Sequence, residues 1–131
     1  MHPADNDRCV VVYGTLRRGD DNDITRMQPA PTFVGSARLA GVMYHLGAYP
    51  GVVLGGSAQV VAEVYRIGAW LEAQLDTLEA VYPQQSDEYA KRHIDVTTEQ
   101  GVTCRCIVYE INPKFTVGAP VIPSGDWVLG R

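Results

Sequence analysis

Only one stretch of this chain carries a helical period. Leu71, Leu75 and Leu78 stand at i, i+4 and i+7, which places them on one face of a helix running from Ala69 to about Glu79. Almost everything else reads as strand. Apolar or alternating runs cover residues 9–12, 32–40, 42–46, 52–54, 58–67, 91–98 and 102–111. Gly35 inside the second run predicts a bulge or bend. Gly55-Gly56 and Gln100-Gly101 are hairpin or turn signals. Residues 20–27 are polar and read as a short helix or a loop, broken by Pro29 and Pro31. A doubly wound parallel sheet needs more helices than this. The pattern predicts an α+β domain: a mainly antiparallel, barrel-like mixed sheet, closed or partly closed, with one main helix at its flank.

At 131 residues the chain suffices for one domain with a real core. Residues 1–8 are polar and read as a flexible N-terminal lead, leaving 9–131 as the domain. A formal charge of -4, with no basic stripe interleaved with aromatics, argues against nucleic acid as a partner. No apolar run is long enough to span a bilayer, so no membrane partner is expected. Three cysteines without a secretory pattern favour reduced thiols and a cytoplasmic setting.

The strand at residues 9–12 opens into Tyr13-Gly14-Thr15-Leu16-Arg17-Arg18-Gly19. Glycine lets backbone approach a ligand closely. A strand that ends this way presents unpaired N–H groups at a cleft, suited to a carboxylate or an oxyanion. The plain alternative is a tight turn with two solvated arginines. Among ionisable residues Glu79 stands out. It flanks the apolar face of the helix and falls at its C-terminus, and burial and the helix dipole both raise a carboxyl pKa there. A general base working near neutrality needs such a shift. Its plain alternative is a boundary glutamate that reaches water. Glu63, in mid-strand, reads more simply as the partner of a nearby Arg or Lys. Glu88 reads as a solvated loop residue. Cys104-x-Cys106 is too closely spaced for an ordinary zinc pair, and His2, His45 and His93 show no ligand spacing, so no metal is expected.

Six short segments, in order, carry a resemblance. They are Val12-Tyr13-Gly14-Thr15-Leu16, Ala48-Tyr49-Pro50-Gly51, Ala62-Glu63-Val64-Tyr65, Leu75-Asp76-Thr77-Leu78-Glu79, Tyr89-Ala90-Lys91 and Ser124-Gly125-Asp126-Trp127. Together they resemble the gamma-glutamylcyclotransferase-like family over residues 10 to 127. Alanine replaces a glycine at Ala62, lysine an arginine at Lys91, and Ala80-Val81-Tyr82-Pro83 departs from the more usual Glu-Gly step. The resemblance implies that a small gamma-glutamyl compound cyclises to 5-oxoproline and releases the attached amine. It implies Glu79 as the acid/base, Tyr13, Gly14, Thr15 and Leu16 as the substrate loop, and Tyr89 at the rim. It implies no cofactor, metal or covalent intermediate; the sequence does not show the oligomeric state, and a monomer or weak homodimer is expected. The group attached to glutamate stays open: a dipeptide, glutathione, a gamma-glutamylamine or an epsilon-lysine isopeptide. The competing expectation, from a different class, is a non-catalytic binder of an amino-acid-like ligand on the same fold.

Overall fold

The computed structural model describes residues 8–79 and 87–130. The expected lead at 1–8 therefore falls outside the described residues, apart from Arg8. Strand β1, Arg8–Val12, is central because it is apolar and buried from Cys9 to Val12, and a strand buried on both faces reads as a continuous apolar run. Strand β2, Thr32–His45, and strand β3, Pro50–Ile67, form a long antiparallel ribbon on one side of it. Helix α1, Ala69–Leu78, follows β3 directly. Strands β4, Tyr89–Thr97, and β5, Thr103–Ile111, form a second hairpin on the other side. The order across the sheet is β2-β3-β1-β5-β4. Among the described residues only the β1–β5 pairing is parallel, with Cys9 opposite Cys106 and Val10 opposite Ile107.

The sheet is mixed and does not close. Its two edges approach at one point, where Ala37 of β2 bridges Thr98 just beyond β4 and the Glu99 N–H donates to the Ser36 carbonyl at 2.8 Å. Alternation along the strands divides the core in two. Cys9, Val11 and Tyr13 face a concave interior with Leu39, Met43, Val64, Val108, Ile122 and Trp127. Val10 and Val12 face the other way, onto Leu71 and Leu75 of α1, with Tyr65, Ile67, Ile107 and Tyr109. The C-terminal segment lies against the β2–β3 ribbon. The Ile122 N–H donates to the Met43 carbonyl and the Val61 N–H to the Gly125 carbonyl.

Several local expectations change. Residues 32–40 and 42–46 are one strand, interrupted by register shifts between Phe33 and Gly35 and between Ala40 and Gly41. Gly55 and Gly56 do not reverse the chain. Both adopt positive φ, 104° and 84°, and residues 55–58 stand out as a bulge before β3 rejoins the same partner at Gln59. Positive φ glycines serve a wide bulge as well as a hairpin, which is why sequence did not separate the two. Residues 20–27 contain one 3-10 turn, Ile24–Arg26, capped by the Asp23 carboxylate. Leu78 is 45% exposed, unlike the fully buried Leu71 and Leu75, because the last turn of α1 reaches the mouth of a cavity.

Candidate active site

Where β1 ends, the chain turns sharply and forms one wall of a cavity of about 350 Å³. Gly14 packs on the Pro50 ring so closely that a Cβ there would lie 2.7 Å from Pro50 Cγ. Only glycine fits without displacing the wall. The turn is held through its carbonyls: Gly14, Thr15 and Leu16 accept from the Arg17, Asn22 and Ile24 N–H groups at 3.0, 2.9 and 2.9 Å. The N–H groups of Gly14, Thr15 and Leu16 donate to no acceptor among the described residues. All three residues line the cavity. Backbone donors left without partners in a concave site fit an incoming anion.

Opposite that loop in sequence, but on the same cavity, stands Glu79, the C-cap residue of α1. The packing of Leu71 and Leu75 onto β1 fixes the helix, and the helix delivers Glu79 to the end of β1. The Glu79 carboxyl makes no hydrogen bond to a described residue. Burial, and secondarily the negative charge of Glu88, push its pKa up to about 7. The separation of some 60 positions between loop and glutamate is thus closed by the fold.

Tyrosines build much of the remaining lining. Tyr13 donates its hydroxyl to the Tyr109 carbonyl at 2.7 Å, and Tyr109 donates to the buried Asp76 carboxylate at 2.7 Å. Lys91 neutralises Asp76 at 2.9 Å and also meets Glu72. Tyr89 lines the cavity and donates to the Pro50 carbonyl at 2.9 Å. Burial raises the hydroxyl pKa of Tyr13, Tyr89 and Tyr109, so all three stay neutral donors at physiological pH. Ala48, Tyr49 and Pro50 close the mouth, with the Tyr49 hydroxyl donating to Glu88.

The structure thus brings Tyr13, Gly14, Thr15, Leu16, Glu79 and Tyr89 to a single cavity. Glu88, expected to be a solvated loop residue, lines it as well; its neighbour Tyr89 was the only sequence signal that could have placed it there. Tyr49 and Tyr109 were not singled out as site residues, although Tyr49 stands in one of the six segments. Glu63 is not at the cavity. It takes Arg17 Nε at 3.1 Å, the Arg18 N–H at 3.0 Å and the Tyr65 hydroxyl at 2.8 Å, as the plain reading of a paired strand glutamate expects. Arg17 is not the solvated turn residue of the plain reading, because its side chain is only 13% exposed. Arg18 is exposed and lies over the Phe33 ring. Cys9, Cys104 and Cys106 are free thiols buried in the concave interior, away from the cavity lining. No helix among the described residues is long and apolar enough to cross a membrane.

A carboxyl titrating near neutrality and free backbone amides line one small, open-mouthed cavity, a combination suited to acid/base chemistry on an anionic small molecule. The chain belongs to the gamma-glutamyl cyclotransferase, AIG2-like family, whose model matches residues 10–129. Among individual relatives, a protein of Vibrio cholerae serotype O1 with the provisional name gamma-glutamylcyclotransferase is 35% identical over 126 residues, covering 90% of this chain and 93% of that one. The ytfP protein of Escherichia coli, solved in solution, is 32% identical with a TM-score of 0.60, covering 92% and 96%. An AIG2-like protein of Mus musculus has the same fold, with a TM-score of 0.69 at 23% identity, covering 86% and 84%.

Proposed function

We propose that this protein cyclises a gamma-glutamyl compound to 5-oxoproline, with Glu79 carrying the proton. The observation that carries the reading is the Glu79 carboxyl, poised at about 7 and lining the same cavity as the unpartnered amides of Gly14, Thr15 and Leu16. The substrate's alpha-amino nitrogen attacks its own gamma-carbonyl carbon. Glu79 takes a proton from that nitrogen as the ring closes. The carbon–nitrogen bond to the attached amine then breaks, and Glu79 returns the proton to the leaving nitrogen. One carboxyl serves as base and then acid, which favours a pKa close to the working pH. The nucleophile is already tethered, so the protein's main task is to hold the bent substrate.

Charge supports the placement of the substrate. Among the described residues, those lining the cavity include Asp21, Glu79 and Glu88 but no lysine or arginine. A substrate carboxylate, or the oxyanion formed on ring closure, therefore has the backbone amides of the Gly14 loop as its donors. The acidic side chains suit the amine at the reacting end. Tyr13 and Tyr89, with their hydroxyls committed to Tyr109 and Pro50, shape the walls and exclude water.

The test is incubation of the purified protein with gamma-glutamyl dipeptides, glutathione, gamma-glutamylamines and the epsilon-lysine isopeptide, with 5-oxoproline detected by mass. Turnover of at least one compound is expected. Glu79→Gln keeps the side chain's shape but cannot accept a proton, and should lower the rate by about 10²–10⁴-fold. Equal rates for the two proteins would remove Glu79 from the mechanism. Binding without turnover across the whole panel would favour a non-catalytic binding domain.

A further inference from the structure

Outside the cavity, directly behind the Gly14 loop, three segments far apart in sequence meet in one ion-pair network. Arg17 Nε contacts Glu63 Oε2 at 3.1 Å and Arg17 Nη1 contacts Asp126 Oδ1 at 2.8 Å. Side-chain exposures are 13% for Arg17, 13% for Glu63 and 17% for Asp126. The Arg17 side chain does not line the cavity, whereas the three residues before it do. We propose that Arg17 is a positioning residue: held by Glu63 and Asp126, it fixes the direction in which the amides of Gly14, Thr15 and Leu16 point.

Drawing charges partly out of water costs free energy that a salt bridge need not repay, so a part-buried network is poor evidence for stability and better read as fixing geometry. This one is well supplied with partners. Glu63 Oε1 also takes the Arg18 N–H at 3.0 Å and the Tyr65 hydroxyl at 2.8 Å. Asp126 Oδ1 also takes the Val128 N–H at 3.0 Å. Both anchors are tied into the sheet or packed closely against it. Glu63 lies on β3 directly opposite Val12, the last residue of β1. Asp126 follows Gly125, whose φ is 65° and where a Cβ would lie 2.0 Å from the Gln59 carbonyl oxygen. The loop is therefore bound through one side chain and one backbone N–H to the sheet, and through a second nitrogen of the same guanidinium to the C-terminal segment. Arginine can hold two carboxylates in a fixed fork; lysine offers a single point charge on a flexible stem. Donors that stabilise developing charge work only when already aimed, so the network sets how well the amides act without touching substrate.

The kinetic arm of the test rests on the cyclisation proposed above; the spectroscopic arm does not. Arg17→Met, Arg17→Lys and Asp126→Asn are compared with the natural chain. In the natural protein the ¹⁵N order parameters of Gly14, Thr15 and Leu16 should sit near the rigid value of about 0.85, and in the variants fall toward about 0.6. Val10 and Val12 should stay unchanged. On a compound the natural protein turns over, kcat/KM should fall about 10- to 100-fold, the scale of a misplaced reacting group. The midpoint of its acid limb, which reports Glu79, should not move. Arg17→Lys should recover little. Unchanged order parameters at Gly14, Thr15 and Leu16 in folded Arg17→Met overturn the inference, and so does equal loosening at Val10 and Val12. If the natural protein cyclises nothing, the order parameters alone decide, so failure of the reaction and failure of the positioning role remain distinct. If Arg17→Met does not fold, Asp126→Asn, which keeps the side chain's size, carries both arms.

Discussion

Glu79 and Glu88 line the same cavity with unequal duties. Glu79 has no hydrogen-bond partner among the described residues, whereas Glu88 accepts from Tyr49. Burial is the larger cause of the raised Glu79 pKa and the charge of Glu88 the smaller. As the base of the proposed cyclisation, Glu79 would work deprotonated, so kcat/KM should rise through about pH 7 along its acid limb. Glu88→Gln removes the neighbouring negative charge. The Glu79 pKa then falls and the acid limb moves to lower pH, stopping short of the ordinary carboxylate value because burial remains. A pH profile of the two proteins checks this. A midpoint that stays put or rises would mean that the charge of Glu88 does not reach Glu79.

At the scale of elements, α1 positions the catalytic candidate by its apolar face. Leu71 and Leu75 are fully buried against β1 and β5, and Glu79 follows one turn after Leu75. Leu75→Ala should therefore cost about 2–5 kcal/mol in urea unfolding, the range for a deleted core leucine. Leu78→Ala, at a position 45% exposed, should cost less than about 1 kcal/mol. Equal losses would contradict the packing. Periodicity alone could not separate these two leucines, since both match the helical face. What distinguishes them is the cavity beyond the last turn, a tertiary fact. The same limit explains other differences. The apolar run before Tyr13 and the Leu71/Leu75 face were legible because each is local and strongly patterned. The Glu63–Arg17–Asp126 network was not, since its members lie 46 and 109 positions apart. The continuous course of β3 through Gly55 and Gly56 was not legible either, because the same glycines suit a turn and a bulge. Cavity-lining residues were readable where a motif named them, as with the Tyr13 loop and Glu79. Glu88 and Tyr109 reach the cavity only through the β4–β5 hairpin.

On the scale of the whole molecule, all three cysteines fall in one of the two core layers, away from the cavity lining. Cys9 and Cys106 face one another across the parallel ladder, Cys104 lies on the same face, and burial pushes the Cys106 thiol up to about 12. A thiol so shifted is a poor nucleophile. Replacing all three by alanine should leave turnover within about threefold while lowering stability by about 1–3 kcal/mol. Loss of activity on thiol alkylation, in protein whose circular dichroism is unchanged, would refute this.

The parallel ladder has a further consequence for the order in which the protein can be made. Strand β1 leaves the ribosome well before β5, and one of its two edges waits for that strand, some 97 positions later. Until then the nascent chain carries an apolar Val run with unsatisfied backbone groups along that side, the kind of edge that recruits other chains. The cavity also waits, because the Tyr109 carbonyl that receives the Tyr13 hydroxyl arrives with the same strand. Synthesis of β5 thus shields the aggregation-prone edge and completes the site's wall in one event, and a chain interrupted before it would be both sticky and without a closed site.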